Sequence, residues 1–182
     1  MKRKSKFVML MLVMALFGAL VAGCGNKADL TLFIMPDDYI QPEAPQKIED
    51  KLQAKLGEAP TISIGASPIY SPQKLMVEIA AAGNGIVLMP KEAFQRMLDQ
   101  GPAYPLDSTF NAADYPGGIF TSIVYDENGD EKEATGLFAI PLEHMPIFKE
   151  FGYEEKDILA IIPANAPDKE LSIQVLKELV KP

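Results

Sequence analysis

The chain predicts a three-layer α/β domain: a mostly parallel sheet flanked by helices, with an antiparallel hairpin added to it. Three observations carry this expectation. Four short, mainly apolar runs, Leu30–Met35, Thr61–Ile64, Ile86–Met89 and Ile158–Ile162, read as strands buried on both faces, as parallel strands are. The segments after the first three place apolar residues at helical spacing and the links are short, so the order is βαβαβα. Finally, Asn128-Gly129 lies between two strand-like runs, Ile119–Tyr125 and Ala134–Ile140, which marks a hairpin.

Each element has its own justification. The run Leu30–Met35 is closed by Pro36-Asp37-Asp38. From Pro45 onward Ile48, Leu52 and Leu56 recur every fourth residue among Glu49, Asp50, Lys51 and Lys55, an amphipathic helix that Gly57 stops. Thr61–Ile64 ends at Gly65-Ala66-Ser67-Pro68. Ser71-Pro72 then offers an N-cap hydroxyl and a proline at the first helical position. The helix it opens is expected to turn Leu75, Met76, Ile79, Ala80 and Ala82 towards the core, ending at Gly83-Asn84-Gly85. After Ile86–Met89, Pro90 opens a helix with Phe94, Met97 and Leu98 on one side, and Gly101-Pro102 closes it. Tyr104 to Gly118 is loop-like, and Pro141 to Gly152 fits one or two helical turns around Ile147, Phe148 and Phe151. Asp168 caps a last helix that buries Leu171, Val175, Leu176 and Leu179. Met35, Met76, Met89 and Met97 are all expected in the core.

Ahead of this domain stand Lys2-Arg3-Lys4-Ser5-Lys6, the apolar run Phe7–Ala22, and Gly23-Cys24-Gly25. A basic start, an apolar segment and small residues before a cut site make a secretory signal, and the run is short for a membrane span. Leu20-Val21-Ala22-Gly23-Cys24 resembles the bacterial lipobox, with Val21 where leucine is most common. That resemblance implies attachment of a diacylglyceryl group to Cys24 followed by cleavage before it, which anchors without spanning. The expected organisation is a signal peptide over 1–23, a lipidated tether over 24–29 and a single domain over 30–182. The expected location is the extracytoplasmic face of a cell membrane, with the bilayer itself as the first partner.

Removal of the signal leaves 13 basic against 25 acidic residues, a formal charge of −12. Nucleic acid and anionic lipid surfaces need a positive patch, so nucleic acid is not an expected partner. A single cysteine excludes an internal disulfide and any Cys-based zinc or redox site. The absence of tryptophan counts against a sugar-stacking platform, although six tyrosines remain.

The segment Gln73-Lys-Leu-Met-Val-Glu-Ile-Ala-Ala-Ala-Gly-Asn-Gly-Ile-Val-Leu-Met-Pro90 resembles the first lobe of extracellular solute-binding lipoproteins of ABC importers. There, a helix ending in Ala-Ala-Gly precedes a strand, a helix and a Pro-Leu-Asp turn; the turn here is Pro105-Leu106-Asp107. Gly136–Leu142 resembles an Ala-Ile-Pro strand of that family, and Ile158–Asn165 the segment that returns to the first lobe. The likeness implies a periplasmic-binding-protein-lobe-like fold, a small-molecule ligand and a membrane transporter as partner. Two departures qualify it. Asn84-Gly85-Ile86 replaces the usual Pro-Asp pair, and the interval Asp107–Ile158 is too short for a second lobe.

Open parallel sheets bind ligands beyond the carboxyl ends of their strands. The candidate rim is therefore Asp37, Asp38 and Tyr39 after the first strand, Ser67 and Tyr70 after the second, Lys91 after the third and Asn165 after the last. The competing reading makes these residues caps and turns. Asp126-Glu-Asn-Gly-Asp130-Glu131 superficially suggests calcium, but an EF-hand loop wants glycine at its sixth and glutamate at its twelfth position, where Leu137 stands. His144 is the sole histidine and no Gly-x-Ser-x-Gly elbow occurs, so no metal, cofactor or catalytic set is expected. The resulting expectation is a non-catalytic, anchored lipoprotein that binds a small ligand weakly or docks to a transporter. The alternative is a protein-interacting or sensory envelope module without a small ligand.

Overall fold

The computed structural model describes residues 27–126 and 128–181. The predicted signal peptide and the tether up to residue 26, Cys24 included, lie outside the described residues. The strands β1 (Leu30–Ile34), β2 (Ile62–Ala66) and β3 (Ile86–Pro90) alternate with the helices α1 (Ala44–Leu56), α2 (Pro72–Ala80) and α3 (Lys91–Gln95). A hairpin of β4 (Ile119–Tyr125) and β5 (Glu131–Leu137) follows, then β6 (Ile140–Pro141), α4 (Pro146–Glu150), β7 (Ile158–Ile161) and α5 (Lys169–Leu179). The main sheet has the order β2-β1-β3-β7-β6, and the hairpin forms a two-stranded sheet of its own.

The result is a mixed α/β domain with a helix-flanked sheet, and β1 is parallel to both β2 and β3 as expected. The last strand departs from expectation: β7 runs antiparallel to β3 and to β6. Burial on both faces makes a strand uniformly apolar whichever way it runs, so the composition of Ile158–Ile162 carried no direction. The hairpin also ends earlier than its sequence suggests. Leu137 closes it, opposite Ile119, and Ile140-Pro141 joins the edge of the main sheet beside β7.

Alternation along the strands divides the core into two layers. Leu30, Leu32 and Ile34 share one side with Ile62, Ile86, Leu88 and Ala160, covered by Ile48 and Leu52 of α1, Phe148 of α4 and Val175, Leu176 and Leu179 of α5. Phe33, Met35, Val87, Met89, Leu159 and Ile161 face the other side, where Leu75, Phe94 and Met97 cover them. Helix caps form where the sequence placed them: Ser71 Oγ accepts the N–H of Lys74 at 3.3 Å, and Asp168 Oδ1 that of Leu171 at 2.9 Å.

Helix α2 is less buried than its composition suggests. Leu75 is its one buried residue and Ile79 is partly buried, whereas Met76 is 46% and Val77 65% exposed, and Ala80 and Ala82 are also exposed. A short helix on a sheet buries a narrow i, i+4 stripe, and Met76 lies about 100° around the axis from Leu75. Met35, Met89 and Met97 are core residues; Met76 is not.

At the hairpin turn, Asp126 Oδ1 accepts the N–H groups of Asn128 (2.8 Å) and Asp130 (3.0 Å), while Gly129 takes the positive φ of +83° that its position requires. The acidic shoulder is thus a turn, with a carboxylate as its clasp. The amide bonds, that of Asp130 first, hold the Asp126 carboxyl below its ordinary value of 3.8. The folded turn therefore prefers the ionised form. Its contribution is complete above that ordinary value and is lost as pH falls through the lowered one. A carboxyl-carbon NMR titration should place the Asp126 midpoint below 3.8; a midpoint at or above it would remove the clasp from the account.

Candidate functional site

Because β7 is antiparallel, its first residues lie at the same end of the sheet as the last residues of β1, β3 and β6. Pro90 pairs with Ile158 and Pro141 with Leu159, so two strand-ending prolines flank the entry of β7. Beyond them opens a groove of about 490 Å³. Pro141, Leu142, Met145, Ile158 and Leu159 supply its apolar surfaces, and Lys91, Glu143, Glu154 and Asp157 its polar ones. A second space of about 550 Å³, lined by Asp37, Asp38, Glu92 and Gln95, adjoins it. Lys91, Glu155, Lys156 and Asp157 border both.

The divide between the two spaces is held by one carboxylate. Asp37, Asp38 and Tyr39 follow β1 in a bend whose three successive N–H groups converge on Glu155, at 2.8, 3.1 and 3.1 Å. Such a run of amides is an anion-binding concavity, and the chain fills it with its own side chain. The hydroxyl of Tyr153 donates to Glu155 Oε2 at 3.0 Å. Burial, then the neighbouring Glu155 carboxylate, raise the Tyr153 hydroxyl well above the ordinary tyrosine value, so it stays a donor. Asp157, at a φ of +57° that aspartate adopts more readily than most residues, turns the loop and accepts the Lys91 N–H at 2.7 Å.

Replacing Glu155 by alanine should free the Asp37–Tyr39 amides. The bonds are charge-assisted but exposed, so water replaces part of their worth and the expected loss is about 1–2 kcal/mol. Hydrogen exchange gives the local readout: amides 37–39 should lose protection while those of β1 and β3 keep theirs. Unchanged exchange at 37–39 would contradict the role given to Glu155.

The structure gathers only part of the predicted rim. Asp37, Asp38 and Lys91 border the spaces just described. Tyr39 is 51% exposed and bridges to Ile69. Ser67 is buried, with its N–H on the Ile34 carbonyl at 2.9 Å, and Tyr70 packs against the second core layer. Both follow β2, which β1 and β3 separate from β7. Asn165 is at the opposite end of the sheet, because it follows a strand that runs the other way; its amide donates to the Ile79 carbonyl at 2.9 Å. Sequence reasoning missed Tyr153, Glu155 and Asp157. Their proximity to Asp37 depends on the direction of β7, and a run of charged residues before a strand gives no sign of it.

The lining of the two spaces holds seven carboxylates against three lysines, a formal excess of four negative charges. That field favours a ligand or partner with a cationic group. His144 lies edge-on to Tyr115, with ring centroids 5.0 Å apart, and 3.7 Å from the Glu143 carboxylate. Among the described residues no cluster of three His, Cys, Asp or Glu is placed to hold a metal ion, and no helix is long and apolar enough to cross a membrane. No family model matches the chain, and neither a curated protein nor a solved structure does.

Proposed function

We propose that the chain is a non-catalytic lipoprotein, anchored through acylated Cys24 on the extracytoplasmic face of a membrane, whose single solute-binding-like lobe holds a small ligand weakly or docks to a membrane transporter. The observation that carries this reading is the groove beyond Pro90 and Pro141. It has the volume of a small-ligand site, and apolar surface from Pro141, Leu142, Met145, Ile158 and Leu159 with charged side chains around it. It lies beyond the carboxyl ends of β3 and β6, the end of strands at which open α/β sheets take their ligands. The βαβαβ arrangement of the parallel strands supports a likeness to one lobe of a binding protein.

One lobe covers one side of a ligand, so affinity should be roughly micromolar to millimolar. Amide chemical shifts followed while amino acids, amines, sugars and short peptides are titrated onto the domain check this. Shifts confined to Lys91, Leu142, Met145 and Tyr153–Ile158 are expected. Nanomolar binding to the isolated monomer would instead restore an importer-type receptor. The anchor is checked separately: Cys24→Ser should release the domain from the detergent phase, and its retention there would refute acylation.

A protein-interacting module is the second reading, favoured by the exposed apolar Tyr39, Ile69, Met76 and Val77. The edge strand β5 suits a partner less well, because Glu131, Lys132 and Glu133 are exposed along it and charged edges resist strand addition. Absence of any solute-induced shift, together with a partner lost on Val77→Asp, would favour this reading.

A further inference from the structure

Which end of the domain meets the bilayer follows from the shortness of the link to Cys24, once that residue is taken as acylated as proposed above. Three peptide steps separate Cys24 from Lys27, and at about 3.6 Å per residue they span at most about 11 Å in any conformation. Lys27 leads into β1 at the end of the sheet where the parallel strands begin. There Lys27, Asp29 and Leu30 border a small cavity with Gly83, Gly85 and Asp168. The groove lies at the other end, beyond strands that are each about 16 Å long for five residues. An anchor at Cys24 therefore cannot bring the groove to the lipid surface without tipping the domain over.

Charge separates in the same sense. The groove end carries the excess of four carboxylates, whereas the tether end mixes Lys27, Lys55 and Lys169 with Asp29, Glu58, Asp168 and Glu170. An anionic bilayer repels the first surface and tolerates the second.

We propose that the anchored domain rests the starting ends of its parallel strands on the bilayer and turns its acidic groove outward. A solute or partner then reaches the groove from the side away from the anchoring membrane, and a cationic group is the chemistry it should present. A transporter in the same membrane would meet the flanks of the domain rather than the groove.

The chain lacks tryptophan and has one cysteine, so both can serve as unique probes. The form that cleavage would leave, Cys24 to Pro182, is coupled through Cys24 to a maleimide lipid in phosphatidylcholine–phosphatidylglycerol vesicles that carry a dansyl-headgroup acceptor. A single tryptophan is introduced at the exposed tether end (Glu58→Trp or Glu170→Trp) or at the exposed groove end (Lys156→Trp), with thermal unfolding compared against the parent. Energy transfer to the headgroups should be several-fold greater from either tether-end position than from position 156. Equal or reversed transfer overturns the orientation. Chemical coupling makes that outcome independent of acylation in cells, so retention of Cys24→Ser in the detergent phase would count against the anchor alone.

Discussion

Gly118→Ala should lower the unfolding free energy by about 3 kcal/mol, at the upper end of what overpacking costs. A Cβ on Gly118 would overlap the Ala139 carbonyl oxygen, lie 2.8 Å from its carbon and touch a Leu137 methyl at 3.0 Å. The obstacle is buried backbone, which cannot rotate aside as a side chain can. The same glycine's carbonyl accepts the N–H groups of Phe138 and Ala139, at 3.0 and 3.3 Å. These bonds join the base of the hairpin to the segment that becomes β6, the edge of the main sheet beside the groove. Gly117→Ala is the control. Its Cβ would meet only a Pro141 ring carbon at 3.1 Å, and the expected cost is under about 1 kcal/mol. Urea unfolding of the two variants tests the pair, and equal losses would remove the close approach from the explanation.

Phe94→Ala should be more damaging still, by about 3–5 kcal/mol, because a large ring is deleted from a site that cannot collapse onto it. Phe94 is fully buried between the sheet and the hairpin, and its ring meets Phe120 of β4 edge-on, with centroids 5.1 Å apart at 81°. Helix α3 has only five residues and depends on this side chain to hold it down. In a domain whose whole stability is of order 5–15 kcal/mol, such a loss places the variant near its folding threshold. Phe120→Ala should cost less, since that ring is only partly buried. The double mutant should reveal a coupling of about 0.5–1.5 kcal/mol between the rings. Simple additivity would mean that the hairpin is held by other contacts, the bond from Ser122 Oγ to the Leu98 carbonyl at 2.8 Å first among them.

Residues that report their own surroundings were legible in advance. Runs such as Leu30–Ile34 and Ile86–Pro90 are apolar because both of their faces are covered, and Ile48 and Leu52 recur every fourth residue because one helix face is buried. Ser71 and Asp168 satisfy free amides within the next turn, a contact that short-range sequence encodes. Asp37, Asp38 and Lys91 were legible for a related reason: they follow strands whose common direction the short βαβ links dictate.

The direction of β7, the pairing of Glu155 with amides more than a hundred positions away, the closeness of Gly118 to Ala139 and the exposure of Met76 were decided by the tertiary structure alone. Each depends on how elements distant in the chain are set against one another, and an apolar or charged side chain has the same composition whichever neighbour it meets. The local sequence determined the apolar strands of the main sheet from β1 to β3 and β7, the helices α1, α2 and α5, and the caps at Ser71 and Asp168. It did not separate β6 from the hairpin or show that α3 ends at Gln95. Packing decided which end of β7 faces the groove, and so which residues surround it: reversing that one strand took Asn165 to the far end and brought Tyr153, Glu155 and Asp157 to the near one.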